Sequence, residues 1–202
     1  MVELIDTPIL ATLKKETASA HDATERVALV DKIKNLTLNK KEYIQLISSN
    51  YWIHQMVEKS VIDFFMESPT PELRAFFDKK SKWLMKDLQE LEVLSNTLSF
   101  PAIAYPSVTT EAALIGSLYV VEGSMLGGQY MLRLFRQNPA LDTIPHFHFY
   151  QGYEKKTGQR WKAFKKLANE FIWTPSSVQQ AVQQAKATFQ FFQSVYEVGL
   201  RP

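Results

Sequence analysis

Apolar residues recur along this chain at every third or fourth position, the spacing of one face of an α-helix. The first such stretch runs from Pro8 to about Val27 and puts Leu10, Leu13, Thr17, Ala20, His21, Thr24, Val27 and Ala28 on one broad face. Thr7 is placed to cap it, with Pro8 at the first helical position. A short element over Val30–Lys34 and a turn at Asn35–Asn39 lead to a long helix over Lys41–Glu67, with Tyr43, Ile47, Tyr51, His54, Val57 and Phe64 along its apolar face. Ser68-Pro69-Thr70-Pro71 ends that helix, because a proline removes a donor and clashes with the preceding turn. A third helix is expected from Glu72 to about Asn96, with Leu84, Leu88, Leu91 and Leu94 in its core stripe. Pro101 and Pro106 bracket a loop, and residues 138–153, with Pro139, Pro145 and Gly152, read as irregular. Two last helices cover about Lys155–Trp173 and Pro175–Val198, the latter capped by Thr174. Nothing alternates with a strand's period for longer than Phe147–Tyr150, and no segment repeats. The pattern predicts an all-α fold, one single-domain helical bundle over residues 1–202 with about six to eight helices and an aromatic-rich core.

One helix departs from ordinary composition. The stretch from Gly116 to Phe135, opened by Thr109, Thr110 and Glu111, is strongly apolar yet holds four of the chain's seven glycines. Each interior Gly costs a helix about 1 kcal/mol relative to Ala. At about 100° per residue, Gly116, Gly123 and Gly127 fall within roughly 20° of a common line on the helix surface. That line carries no side chains, and Gly127-Gly128 is an expected kink. Two readings account for it: a seam for close helix–helix packing, or a wall against which something flat or bulky lies.

Composition narrows the chemistry. A length of 202 residues suits one sizeable domain. The formal net charge of +2, with acidic and basic residues interspersed, gives no argument for nucleic acid, and no apolar run reaches the length of a membrane span. There is no Cys, which excludes disulfides, thiolate ligands and a Cys nucleophile. The N-terminus lacks a basic segment followed by an apolar core, so a soluble cytoplasmic protein is the default expectation. Four histidines supply the nitrogen ligands or bases for chemistry near neutral pH. His54, amid Tyr51, Trp52 and Met56, reads as a structural core residue. His146 and His148 form an H-x-H that suits a metal, but no carboxylate is near in sequence, so they read as solvated loop histidines. His21 sits on the inward face of the first helix among Thr17, Ala20 and Thr24, small neighbours that leave room beside the ring. Set against the glycine stripe, it offers what a planar porphyrin between two helices needs: an axial nitrogen on one side and bare backbone on the other. Lys14, two turns before His21, is placed to meet a carboxylate on the ligand's rim.

These residues resemble a known family. Leu13-Lys-Lys-Glu-Thr-Ala-Ser-Ala-His21-Asp-Ala-Thr-Glu25 resembles the proximal helix of heme oxygenases, and Leu118-Tyr-Val-Val-Glu-Gly-Ser-Met-Leu-Gly-Gly-Gln129 their glycine-rich distal helix. Phe149-Tyr-Gln-Gly-Tyr153 with Thr157-Gly-Gln-Arg-Trp161 is similar to the segment before the late helices of bacterial members. Thr174-Pro175 with Ala185-Lys-Ala-Thr-Phe189 is similar to the last helix. The matches fall in order from about residue 10 to 198. The resemblance implies heme sandwiched between a proximal and a kinked distal helix, bound as both cofactor and substrate. It implies an oxidoreductase that uses O2 and electrons from a redox partner, such as a ferredoxin or flavin reductase, to open the macrocycle at a meso carbon. The products would be biliverdin, carbon monoxide and ferrous iron. It further implies His21 as the iron ligand, Glu25 as the residue orienting its ring, and Gly123, Gly127 and Gly128 as the distal wall. Lys14 and Lys165 would contact the heme propionates, and Phe189 would line the pocket. Many members carry Asp after the first distal glycine to anchor a water chain; this chain has Ser124, which can hold a water but carries no charge. A heme carrier or sensor that does not turn over, and a helical interaction protein without heme, are the alternatives.

Overall fold

The structure, a computed structural model, describes residues 8–68, 70–93 and 102–200. Helix α1 covers Ile9–Val27 and α2 Val30–Lys34; the residue capping α1 is Pro8, without a side-chain cap, and Thr7 lies outside the described residues. Helix α3, Lys40–Glu67, begins where the Asn39 side chain accepts the Glu42 N–H at 2.9 Å and the Glu42 carboxylate accepts that of Asn39 at 3.0 Å. This reciprocal cap satisfies donors that have no partner inside the helix.

The single helix expected from Glu72 to Asn96 is two, α4 at Pro71–Phe76 and α5 at Ser81–Glu90. The cause lies in α3. The buried Glu58 carboxylate accepts the backbone N–H groups of Lys80 and Ser81 at 2.6 and 2.9 Å, so the chain restarts there as a new helix rather than continuing the old one. Leu84 and Leu88 are buried as expected, Leu91 closes α5, and Leu94, Asn96 and Pro101 lie outside the described residues.

The glycine-bearing helix α6 runs from Glu111 to Phe135, capped by the Thr110 hydroxyl, and continues unbroken through Gly127-Gly128. The irregular region holds one short helix, α7 at His148–Gln151, and two 3-10 turns at Pro139–Leu141 and Glu154–Lys156. Gly152 follows α7 with φ +48°, a left-handed turn that redirects the chain. Helices α8, Thr157–Glu170, and α9, Pro175–Gly199, complete the bundle, α9 with the expected Thr174 cap and Pro175 in its first turn. Among the described residues six helices have ten residues or more and no strand is present.

α9 is the spine. Both α1 and α6 pack along it, and α3 packs against its far part. Gly116 makes the closest approach, since a Cβ there would lie 2.2 Å from the carbonyl oxygen of Ala181. Near this seam the buried Tyr105 hydroxyl pairs with Ser117 of α6 at 2.7 Å and Thr188 of α9 at 2.8 Å. α1 packs along α9 with Ile9 and Leu13 buried, and the Thr24 hydroxyl is shared between the Ala20 carbonyl at 2.9 Å and the Phe189 carbonyl of α9 at 3.3 Å. Because α1 and α6 diverge from a shared support, a wedge stays open between them.

Candidate functional site

The wedge holds a cleft of about 340 Å³, within the size range of small-molecule sites. His21, Thr24, Glu25 and Ala28 of α1 form one wall, and Gly123, Ser124, Gly127 and Gly128 of α6 another. Phe149 and Tyr150 of α7, Trp161 of α8 and Phe192 of α9 close the ends. These aromatics were missed in the sequence because their sites are set by chain crossings, not by any local pattern.

The glycine stripe divides. Gly116 is a packing seam, as its contact with Ala181 shows. A Cβ built on Gly127 meets nothing within 4 Å, and one on Gly123 meets only the rim of the Trp161 ring at 3.9 Å. One on Gly128 would touch Tyr150 at 3.5 Å. The bare face of α6 over the cleft is therefore a cradle that side chains would fill.

His21 stands at the mouth, its side chain 53% exposed. Its Nδ1 is 3.6 Å from Asp22 Oδ1 and its Nε2 3.8 Å from Glu25 Oε1, both too long for hydrogen bonds. The Phe189 ring meets it edge-on at 5.7 Å and limits its rotation. The imidazole is thus held by an aromatic and flanked by carboxylates, and neither ring nitrogen makes a hydrogen bond to them. Ser124, next to Gly123, is exposed and donates its hydroxyl to the Val121 carbonyl at 2.8 Å, so it faces a partner as an acceptor only. Lys14 and Lys165 lie on exposed surfaces of α1 and α8, outside the cleft's lining.

His54 also lines the cleft, although it reads as a core residue, and both descriptions hold. It is buried against Phe149 and Phe192 at ring separations of 5.2 and 6.2 Å. Burial, helped by the Lys80 ammonium, pushes its pKa down to about 3. A neutral, wedged imidazole fits a wall better than a movable ligand.

Behind the glycine wall lies an ion cluster. Glu122 accepts from Lys80 Nζ at 2.6 Å and from Arg160 at 3.2 and 3.3 Å, and Arg160 lies over the Phe76 ring. Both the Glu122 and Lys80 side chains are 1% exposed. Sequence reasoning passed over Glu122; the signal was a carboxylate inside an otherwise apolar run, which must find a buried cation.

Comparison with known proteins fits this geometry. The family model described as heme oxygenase matches residues 7–198. The chain belongs to the heme oxygenase family. It is a heme-degrading oxidoreductase by that membership, and heme is its cofactor. A heme oxygenase of Xanthomonas campestris pv. campestris is 30% identical over 115 residues, spanning 56% of this chain and 67% of that one. The Neisseria meningitidis heme oxygenase, solved with NO and CO bound, superposes with a TM-score of 0.75 at 24% identity, covering 96% of this chain and 92% of its own. Heme oxygenase-1 of the cyanobacterium Synechocystis, solved with heme, gives 0.68 at 16% identity, over 95% and 91% of the two chains.

One expectation outside the cleft is corrected. His146 and His148 are not free solvated histidines: both face Glu90 at the end of α5, His146 Nδ1 at 3.1 Å and His148 Nε2 at 2.9 Å. The carboxylate is absent from the sequence neighbourhood because it arrives from 56 and 58 residues away, across the α5–α7 packing.

Among the described residues, no helix is long and apolar enough to cross a membrane.

Proposed function

We propose that heme lies in the wedge between α1 and α6 with His21 as its iron ligand. The observation that carries this reading is the pairing of an imidazole whose nitrogens make no hydrogen bond to Asp22 or Glu25 with, on the same cleft, a helix face at Gly127 where a Cβ meets nothing within 4 Å. A flat ring would fit that pair of walls, and the His21 nitrogen would hold its iron without a thiolate's electron donation. When bound, heme supplies the redox reactivity that opens its own ring at a meso carbon, with O2 and electrons from a redox protein of the ferredoxin or flavin reductase class.

The chain's own residues do the rest. Glu25 is assigned to the second ring nitrogen of His21, where a carboxylate raises ligand basicity. Phe189 holds the imidazole plane. Gly123, Gly127 and Gly128 keep the space over the ring narrow but open, so that a small gas enters there and a larger group does not. Ser124 accepts a hydrogen bond from a pocket water; its own proton is committed to Val121. Proton supply thus depends on water held at that oxygen rather than on a charged side chain. Lys14, two turns from His21, and Lys165, one turn beyond Trp161, are assigned to the propionates as rim cations, which their exposure suits.

The test is an optical titration with hemin followed by reductant in air. Wild type should take up one heme and lose the Soret band as biliverdin forms. His21→Ala should fold, bind heme more weakly and lose the ligand field, with partial recovery on added imidazole; His54→Gln should keep it. A wild-type spectrum from His21→Ala would end the assignment.

A further inference from the structure

Glu90, the last residue of α5, meets His146 and His148 from the segment that enters α7. None of the three lines the heme cleft. One oxygen of Glu90 and one ring nitrogen of each histidine all lie within 4.8 Å of one another. The two rings are stacked at 5.1 Å and 27°. The nitrogen of each ring that faces Glu90 donates its N–H to the carboxylate, and moving that proton to the ring's other nitrogen turns a lone pair toward the same point.

The scaffold holds this cluster in place. Phe147, between the two histidines, is buried and stacks on Phe135 at 5.6 Å. One turn before Glu90, the buried Asp87 carboxylate accepts the backbone N–H groups of His148 and Phe149 at 2.7 and 2.9 Å. The segment is thus moored to α5 through Asp87 and to α6 through Phe135, which lowers the cost of presenting three donors to one point.

We propose that Glu90, His146 and His148 form a binding site for a divalent first-row transition ion of the Zn2+ class, separate from the heme iron. Two imidazole nitrogens and one carboxylate oxygen are a donor set for such ions, with the fourth position left to water. Bonds of about 2.0–2.1 Å in tetrahedral array separate the donors by about 3.3 Å. One Glu90 oxygen already lies 3.2 Å from His146 Nδ1 and 2.9 Å from His148 Nε2, and the two nitrogens, within 4.8 Å of each other, close in as an ion replaces the hydrogen bonds. The affinity order of such sites puts Zn2+ above Fe2+. Bound there, the ion clamps α5 to the segment that continues into Phe149 and Tyr150, two walls of the heme cleft.

Calorimetric titration of the heme-free full chain with Zn2+ tests this. Wild type should take up one ion and show a raised melting temperature. His146→Ala and His148→Ala should each weaken uptake by about tenfold or more, at least what loss of an outer-shell partner costs. Glu90→Gln should weaken it as well, and His21→Ala should not. Metal-free melts that match wild type verify that the variants fold. No saturable uptake by wild type, uptake unmoved by either His substitution, or uptake lost in His21→Ala each overturns the assignment.

Discussion

At the scale of single residues, the four glycines of α6 show how one sequence signal can carry two meanings. Gly127→Ala adds a methyl that meets nothing within 4 Å. The heme-free chain should therefore gain up to about 1 kcal/mol from helix propensity, while biliverdin formation falls because the methyl intrudes over the ring. Gly116→Ala puts a Cβ 2.2 Å from a backbone oxygen that cannot step aside. It should destabilise the chain by about 1–3 kcal/mol or more, by parting α6 from α9. Thermal melts with a biliverdin assay separate the two; a Gly127→Ala chain that melts as early as Gly116→Ala would show that the whole stripe is packed. The sequence placed these glycines on one line but held no information on what stood opposite each. His54 gives a second residue-scale test. Its pKa in the fold is about 3 against an ordinary 6.5, so between those values the unfolded chain binds the extra proton. Its contribution to stability therefore falls as pH drops below about 6.5, by about 1.4 kcal/mol per unit, and stops falling near pH 3. His54→Gln should remove that slope. Urea unfolding of both chains at pH 7, 6, 5 and 4 reads the difference, and parallel curves would mean that His54 takes up its proton alike in the folded and unfolded chains.

Among the helices, periodicity found all six long segments, and caps at Thr110 and Thr174 set their starts. What it merged were α4 and α5, because the break is written in α3: Glu58 draws the Lys80 and Ser81 amides out of a continuing helix. No local window contains that carboxylate. The same limit hid the cluster that fixes α6. Lys80 at the start of α5, Glu122 on α6 and Arg160 on α8 converge where all three elements meet, one residue before the first cleft glycine. Burial lowers the Lys80 pKa and the Glu122 charge opposes that shift. Glu122→Gln leaves two cations facing each other in a site that excludes water. The expected cost is about 3–5 kcal/mol. The double variant Glu122→Leu with Lys80→Met leaves one cation, Arg160, beside the protein surface and should lose much less. Denaturant melts of the wild type and of both variants measure this, and a double variant that loses as much as Glu122→Gln would show that the unpaired Lys80 cation is not the source of the cost.

For the molecule as a whole, the decisive feature is that α1 and α6 share α9 as a support while a cleft keeps them apart. α1 contributes few fixed contacts on its cleft side, where His21 is 53% exposed and Glu25 44%. The fold therefore leaves the cleft side of α1 less braced, and a ring that touched both walls would supply that brace. A ligand that binds only the folded chain stabilises it by about 2.7 kcal/mol at one hundred times its Kd. For a domain of this size that is a rise of about 5–10 °C in melting temperature. Two ligands divide the effect by cause. Metal-free protoporphyrin offers the same flat ring and propionates but nothing for His21 to bind, so it reports ring packing and rim charges. Hemin adds the bond to iron. At equal free concentrations hemin should raise the melting temperature further than protoporphyrin in the wild type. In His21→Ala the two should raise it alike. The Lys14→Glu and Lys165→Glu chains should lose part of the rise with both ligands, because a rim cation acts on the propionates whether or not iron is present. If hemin still outperforms protoporphyrin by the same margin in His21→Ala, iron is held from another residue, and His54, the second imidazole on the cleft, becomes the one to replace.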